Sequence, residues 1–152
     1  MKKLNLPDFD FNIIEKSSQK FEIFDEVRRK YVALTPEEWV RQNFIKYLIN
    51  IKGYPASLIA IEKGLTVHKQ PKRFDAVVYD KKAQPLMLLE FKAPEIGITQ
   101  KVFEQISIYN QLLKVEYLLV SNGLKHYCCE ISFEKEEIIF LKEVPEYNSL
   151  LK

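Results

Sequence analysis

The sequence predicts an α/β fold in which helices cover a mixed β-sheet, and three observations support this class. Residues 35–50 and 99–113 carry apolar side chains at helical spacing. Short apolar runs with the length of strands lie between these helices and after the second one. The run at 86–89 is apolar on both faces, which is typical of a central strand covered on both sides. The predicted order is a β-rich beginning followed by α-β-β-β-α-β-β.

The first helix is predicted from a strong start signal. Thr35 suits the N-cap and Pro36 suits the first helical position, while Glu37 and Glu38 place negative charge at the positive end of the helix dipole. Glu38 also stands three residues after Thr35, as in a capping box. Gly53 follows the periodic residues, so the helix should end near residue 50.

Strands and turns are predicted on both sides of the helices. Residues 9–31 should form short strands ahead of the first helix. The turn-like residues 80–85 should join two later strands as a hairpin, and Asn122-Gly123 favours a tight turn between two others. These later strands are expected at residues 58–62, 74–79, 86–92, 117–120, 125–131 and 138–141.

The chain of 152 residues has the length of one ordinary domain. Its composition, 47% hydrophobic and 29% charged, is sufficient to fill a core and cover it with polar surface. We therefore expect a single domain. Its three parts would be a β-rich extension at 1–34, a core at 35–131, and a C-terminal strand and tail at 132–152 that completes a C-terminal β-hairpin.

Composition and motifs also exclude several classes of protein. The sequence has no run of about eighteen apolar residues, so no membrane span is expected. No apolar segment with a cleavage site follows Met1, so the cytoplasm is the expected compartment. The phosphate-binding pattern GxxxxGK[ST] is missing, so the sequence does not predict a P-loop NTPase. A net charge of +2 is not the mark of a strong nucleic-acid binder. The adjacent Cys128 and Cys129 are expected to be reduced and packed in the core.

A group of charged residues at the end of the central strand is the main candidate site. Glu90 and Lys92 are two residues apart, so their side chains should share one face of the strand. If residues 80–85 form a simple hairpin loop, Tyr79 faces Leu86, and counting outward places Asp75 opposite Glu90. Directly opposed residues have Cβ atoms about 4.5–5.5 Å apart. Two carboxylates at that distance repel each other unless a proton or a cation lies between them.

A divalent cation would resolve this repulsion. Mg²⁺ is held by one or two carboxylates and keeps several waters, and Lys92 would then lie beside a metal-bound water. This arrangement suits metal-assisted hydrolysis of a phosphodiester. The alternative is an ion-pair cluster of Asp75, Glu90 and Lys92 at a strand end. Nearby basic residues would either line a groove for phosphates or form a solvated loop; they are Lys63, Lys69, Lys72, Arg73 and Lys101.

Several motifs give the chain a family resemblance. Arg73-Phe74-Asp75, followed by Pro85 to Pro94, resembles the core motif of the PD-(D/E)XK nuclease superfamily. More closely, the chain resembles the N-terminal nuclease domain of type I restriction enzyme R subunits. The segment at 35–42 resembles the first-helix signature of that family, and Gln105 to Tyr109 matches its Q-x-x-x-Y motif. Residues 120–123 resemble its signature from strand to turn.

The resemblance implies a restriction-endonuclease-like core that hydrolyses DNA with Mg²⁺, or with Mn²⁺. Asp75 and Glu90 would be metal ligands, and the backbone carbonyl of Phe91 would add another oxygen. Lys92 would position the attacking water and stabilise charge on the phosphate.

The resemblance also implies supporting residues. A glutamate of the first helix would lie near the metal; Glu37 shares the stripe that faces the sheet, while Glu38 suits the capping box better, so both remain candidates. Gln105 and Tyr109 share one helix face and would approach the site or the DNA backbone. The alternative is ordinary helix packing for Tyr109 and a solvated side chain for Gln105. Arg73 and Lys72 would contact DNA.

The sequence departs from the family pattern in two ways. Phe74 precedes Asp75, where the superfamily name has proline. R subunits fuse this domain to a helicase motor, and no motor motif occurs here, so partner chains would supply recognition or motor function. A catalytically inactive nucleic-acid-binding or protein-interaction module on the same fold is therefore the alternative function. An unrelated metabolic α/β enzyme is disfavoured because no nucleotide or cofactor motif is present.

Overall fold

A computed structural model describes the backbone of residues 1–67 and 69–151. The side chains of residues 67, 70, 71, 109, 111 and 112 lie outside this description. The helices are α1 (Pro36–Asn50), α2 (Gln100–Leu113) and α3 (Tyr147–Leu150), with a short 3₁₀ turn at Ala56–Leu58. The strands are β1 (Ile13–Ser17), β2 (Lys20–Asp25), β3 (Lys30–Ala33), β4 (Ile59–Val67), β5 (Gln70–Tyr79), β6 (Pro85–Phe91), β7 (Tyr117–Ser121), β8 (His126–Ser132) and β9 (Glu137–Phe140).

The strands form two sheets. β1, β2 and β3 make an antiparallel N-terminal sheet, and the other six make a sheet in the order β4-β5-β6-β7-β8-β9. β6 and β7 run parallel, whereas the other neighbouring strands of the larger sheet run antiparallel. A parallel pair needs a long crossover connection, and α2 lies in it. The predicted α/β class, with a mixed sheet and a β-rich extension, is confirmed.

Two apolar cores lie on opposite faces of the larger sheet. Phe44 and Leu48 of α1 pack with Leu89 on one face, while Ile106 of α2 packs with Leu88 on the other. Burying such a side chain stabilises the fold by about 1.5–3 kcal/mol. Because consecutive residues of β6 enter different cores, this strand is apolar on both faces, as its sequence predicts.

The start of α1 follows its sequence signal. The Thr35 side chain accepts a hydrogen bond from the backbone N–H of Glu38, with 3.0 Å between nitrogen and oxygen. Pro36 is the first helical residue. The Glu38 carboxylate, however, accepts hydrogen bonds from Arg28, Arg41 and Gln42 rather than completing the capping box. The helix start was predictable from local sequence, and the use of this carboxylate was not.

β5 changes face at Asp75, and this distortion lies at the candidate site. Phe74 and Ala76 are two residues apart, so a regular strand would direct them to one face. Phe74 nevertheless packs in the α2-side core and Ala76 in the α1-side core. Glu62 of β4, which the register places opposite Asp75, has φ of 53°, in the left-handed region that side chains rarely adopt. The two strands therefore twist sharply where Asp75 and Glu62 meet.

β4 and β5 both extend further than predicted. Their pairing continues from Ile59 and Val78 to Val67 and Gln70. The segment at 63–73 is rich in cations and lacks a regular apolar alternation, so the sequence gives little sign of a strand there. Its described residues, 63–67 and 69–73, form the outer part of a two-stranded ribbon, which we call the basic ribbon.

The hairpin between β5 and β6 differs from the prediction at one pair. Tyr79 pairs with Pro85 and not with Leu86, because the register shifts by one residue next to the loop. From Val78 and Met87 onward the pairing follows the predicted count. A proline beside a turn cannot donate a ladder hydrogen bond, which favours such an irregularity.

The C-terminal region contains a helical turn that the sequence did not predict. Tyr147 and Leu150 of α3 are buried, and the Tyr147 hydroxyl donates a hydrogen bond to the Tyr79 carbonyl at 3.0 Å. A four-residue helix has too few residues to show helical periodicity. None of the helices within the described residues has the length and apolar character needed to cross a membrane.

Candidate active site

Asp75 and Glu90 meet at the end of the β5–β6 pair. The regular ladder ends at Ala76 and Leu89, and the next position on each strand carries a carboxyl group. One Asp75 oxygen, Oδ2, accepts a hydrogen bond from the backbone N–H of Phe91 at 2.7 Å. The carboxyl groups of Asp75 and Glu90 also hydrogen-bond each other. The two acidic side chains are therefore adjacent, as the hairpin count predicts.

The pKa of Glu90 shows that nearby cations do not balance the negative charge of this carboxyl pair. Burial and then the negative charge of Asp75 raise the pKa of Glu90 from 4.5 to about 8. The positive charges of Lys92 and Lys72 lower the pKa of Glu90, but by less than burial and Asp75 raise it. In the neutral form the Glu90 carboxyl donates its proton to Asp75. Two half-buried carboxyl groups held by one proton are a pair that a cation could also hold.

Lys92 lies on the same face of the sheet as Glu90. Its backbone N–H donates to the Ser121 carbonyl of β7 at 2.9 Å, which fixes the end of the strand. Lys92 and Glu90 line a cleft of about 100 Å³ between the sheet and α2, together with Gln105. Phe91 points to the opposite face and packs against Phe44. An ammonium group therefore lies next to the carboxyl pair inside a polar cleft.

The two glutamates of α1 have different surroundings. Glu37 is exposed and interacts electrostatically with Asp75 and Lys92; partial burial and the Asp75 charge raise its pKa. Glu38 is buried, and Arg41 lies between its carboxylate and Asp75. Glu37 therefore approaches the carboxyl pair. Glu38, which we also considered as a site residue, has both oxygens occupied by neighbouring cations and Gln42.

Arg41, which the sequence analysis did not select, borders the site. Its side chain is 8% exposed, and its Nη1 lies 3.9 Å from Asp75 Oδ1. It donates to Glu38 at 2.9 and 2.6 Å and lies 3.6 Å from a Glu62 oxygen. An arginine one helical turn after Glu37 was visible in the sequence, but its partners come from other strands. Glu62 was missed for the same reason.

The remaining predicted residues surround this centre. Gln105 is exposed at the cleft, and Lys72 lines it as well. The Arg73 side chain is 70% exposed, donates to the Glu62 carboxylate at 3.0 Å, and belongs to the basic ribbon. Tyr109 belongs to α2, one turn after Gln105, but its side chain lies outside the described part of the chain.

The donor set suits a hard cation with few protein ligands. Across the described residues, no group of three or more His, Cys, Asp or Glu side chains is arranged to hold a metal ion. Mg²⁺ needs only one or two carboxylates because it keeps several waters. The N–H of Phe91 donates to Asp75, so the backbone of Phe91 lies beside the carboxyl pair.

The mixed sheet, its flanking helices and the carboxyl pair at the strand ends define a restriction-endonuclease-like α/β protein. A fragment described as an HsdR subunit of a type I restriction enzyme from Vibrio vulnificus YJ016 has a similar fold. Its TM-score is 0.55 at 19% sequence identity, over 78% of this chain and 25% of that chain. A cryo-electron microscopy structure of a DrdV–DNA complex gives a TM-score of 0.47 at 15% identity, over 77% of this chain and 11% of that chain.

A family model described as the type I restriction enzyme R protein N terminus matches residues 36–145. The chain therefore belongs to this family, and it has a nuclease-like domain. It spans about a quarter of the Vibrio protein to which it is similar. No curated protein matches the chain.

Proposed function

We propose that this chain is a metal-dependent nuclease that hydrolyses DNA phosphodiester bonds. The observation that carries the proposal is the carboxyl pair of Asp75 and Glu90, with Lys92 on the same face of the sheet. Burial and the neighbouring Asp75 raise the pKa of Glu90 to about 8, and a strongly perturbed carboxyl group that lines a cleft is typical of a functional site. Membership of a family named for restriction enzyme R proteins supports the same chemistry.

Asp75 and Glu90 would hold Mg²⁺, or Mn²⁺, with the Phe91 carbonyl as a third oxygen. A divalent cation at such a site supplies a water of lowered pKa and neutralises negative charge on the phosphate. Before binding, Glu90 must release the proton that it shares with Asp75. The nearby Lys92 favours this release because it stabilises the ionised form of Glu90.

Lys92 and Glu37 would act on the water and the phosphate. Lys92 lies in the cleft with Glu90, where its ammonium group can donate to the attacking water or to a phosphate oxygen. Glu37 is exposed on the α1 side and interacts with Asp75 and Lys92, so its carboxylate is placed to accept a proton from the attacking water. We assign the first-helix role to Glu37 rather than Glu38, because Arg41 separates Glu38 from the pair.

DNA would approach along the basic ribbon and the N-terminal half of α2. Residues 63–74 contain four cations, Lys63, Lys69, Lys72 and Arg73, and no acidic residue. Such cations position the phosphate backbone without reading sequence. Gln105, and Tyr109 one turn later on α2, would support the strand at the cleft. With a net charge of only +2, the chain would depend on partner chains for target recognition or motor function.

A cleavage assay tests the proposal. Wild type, Asp75→Ala and Lys92→Ala are compared on plasmid and single-stranded DNA with Mg²⁺, Mn²⁺ or EDTA. We expect metal-dependent cleavage by wild type and a fall of about 100-fold or more in each variant. Lys82→Ala is the matched control, because Lys82 is an exposed lysine in the loop at the other end of β5 and β6.

Two results would separate the alternatives. Wild type that cleaves no better than the variants at any metal concentration would refute the nuclease proposal for this chain. If that protein still binds DNA, with an affinity that falls as salt rises, the inactive binding module is the better description. If neither cleavage nor DNA binding occurs, a protein-interaction role remains.

A further inference from the structure

A chain of buried ion pairs connects the N-terminal sheet to α1. Arg28 follows β2, and its guanidinium pairs with Asp25 and donates to Glu38 at 2.9 Å. Asp25 and Glu38 are both buried, and Gln42 donates to each of them at 3.0 Å. Every one of these contacts crosses between the N-terminal sheet and α1 or lies beside that boundary. Arg28 is therefore the cation through which the extension holds the first turns of α1.

The same chain continues to the candidate site. Glu38 binds the Arg41 guanidinium through both carboxylate oxygens, at 2.9 and 2.6 Å. Another nitrogen of that guanidinium lies 3.9 Å from Asp75 Oδ1. Since a guanidinium is planar and rigid, fixing two of its nitrogens on Glu38 also fixes the third, which faces Asp75. The order of contacts is Arg28, Glu38, Arg41 and Asp75.

Asp75 depends on such external support because of its place in the sheet. It stands where β5 changes face, beyond the last regular pair with β6. Oδ2 is held by the Phe91 N–H, and Oδ1 faces Arg41. If Arg41 moved, the Asp75 carboxylate could rotate away from Glu90 about its side-chain bonds, because the pairing of β5 with β4 holds the backbone and not the side-chain rotamer.

We propose that Arg28 of the N-terminal extension is a positioning residue for Asp75, acting through Glu38 and Arg41. The β-rich extension is then part of the nuclease machinery and not only a cover for α1. The importance of this positioning for cleavage rests on the proposed function. Its mechanical part, the control of the Asp75 orientation by Arg28, does not depend on that function. A displacement of about 1 Å at a reacting centre can lower a rate by about 100-fold.

Amide hydrogen exchange in metal-free protein tests the mechanical part. The Phe91 N–H donates to Asp75, and the neighbouring Lys92 N–H donates to Ser121, so the second amide is an internal reference. In Arg28→Met we expect the Phe91 amide to exchange about threefold faster or more, with the Lys92 amide unchanged. If the methionine variant unfolds, Arg28→Lys is used in its place. It keeps the positive charge but loses the planar guanidinium that pairs with two carboxylates, so it should give a smaller change in the same direction.

Lys46→Met is the matched control. Lys46 also joins α1 to the N-terminal segment, through the Asp10 carbonyl at 2.6 Å and Glu26 at 3.3 Å, but it has no contact leading to Asp75. It should leave the exchange of the Phe91 amide unchanged. Equal changes in the Arg28 and Lys46 variants, or no change in either, would overturn the positioning role, because stability alone would then explain the data.

The functional part is measured by Mg²⁺ titration of cleavage. We expect the Mg²⁺ concentration for half-maximal cleavage to rise about threefold or more in Arg28→Met and to stay the same in Lys46→Met. Faster Phe91 exchange with an unchanged Mg²⁺ requirement would overturn the link to catalysis and leave the mechanical link intact. If wild type does not cleave at all, the proposed function fails, while the exchange data still decide whether Arg28 orients Asp75.

Discussion

Two clusters of carboxyl groups lie on either side of Arg41, and they have opposite electrostatics. On one side, Glu38 is buried, yet hydrogen bonds from Arg41, Gln42 and Arg28 outweigh its burial and lower its pKa. On the other side, burial and Asp75 raise the pKa of Glu90 to about 8. Two cations act on each glutamate, but only Glu38 accepts hydrogen bonds from its cations, whereas Glu90 lies beside a second carboxyl group. These hydrogen bonds and this neighbour decide the charge state of each one.

This difference separates a structural ion-pair network from the pair that we propose to bind a cation. The Glu38 network is complete, because both oxygens are matched by donors from Arg28, Arg41 and Gln42. The Asp75–Glu90 pair is incomplete, since a shared proton stands where a cation would fit. Removing the charge of Glu38 should therefore destabilise the protein, whereas removing the ionisable group of Glu90 should remove a repulsion with Asp75.

The largest expected effect is on stability, from Glu38→Gln. The substitution leaves Arg28 and Arg41 without their buried carboxylate, and breaking a buried pair in this way typically costs roughly 3–5 kcal/mol. Urea unfolding in EDTA measures it. Glu37→Gln, the exposed neighbour on the same helix, is the control and should change stability by less than about 0.5 kcal/mol.

The pH dependence of this effect has a definite sign. Since the folded-state pKa of Glu38 is lowered, its stabilisation is full above the unfolded value near 4.5 and is lost as pH falls through the folded value. The gap between wild type and Glu38→Gln should be full at pH 7 and should shrink in acid. A gap that stays constant to low pH would mean that the charge of Glu38 is not what stabilises the network.

The second prediction concerns Glu90→Gln in metal-free buffer. Here the pH dependence of stability has the opposite sign to that of Glu38. Folded Glu90 keeps its proton up to about pH 8, whereas the unfolded chain loses it near 4.5, so stability falls as pH rises between these values. From pH 5 to pH 9, wild type should lose on the order of 4 kcal/mol more than the variant. Parallel unfolding curves for the two proteins across this range would show that the pair carries no repulsion.

The smallest expected effect comes from Arg73→Met at the exposed edge of the network. Arg73 pairs with Glu62, but its side chain is 70% exposed, so the pair should contribute less than about 1 kcal/mol to stability. If Arg73 contacts a phosphate, the slope of log affinity against log salt for DNA should decrease by about 1. A loss of several kcal/mol would place Arg73 inside the buried network, and an unchanged slope would remove it from the DNA surface.

Much of the fold followed from local sequence. Thr35 and Pro36 predicted the start of α1. The run before Glu90 that is apolar on both faces predicted the central strand. The adjacency of Asp75 and Glu90 followed from counting residues around one hairpin, because strand pairing has a fixed period. These features depend on residues close together in sequence, so local patterns were enough to predict them.

The rest depended on contacts between distant segments. Arg28 meets Glu38 only after the N-terminal sheet packs on α1, and Glu62 meets Asp75 only after β4 pairs with β5. The left-handed backbone of Glu62 has no residue signal such as glycine. The outer part of the basic ribbon lacked the apolar alternation that identifies a strand.

The change of face in β5 has a consequence for how the chain tolerates insertions. The position of Asp75 against Glu90 is counted from the loop at residues 80–84, at the far end of the hairpin. One added residue in that loop would shift the register and turn one of the two carboxyl groups to the wrong face. Residues added at the connection between β4 and β5 lie beyond Asp75 and leave that count unchanged. The connection between β4 and β5 is thus a place where the chain can vary in length without moving the carboxyl pair.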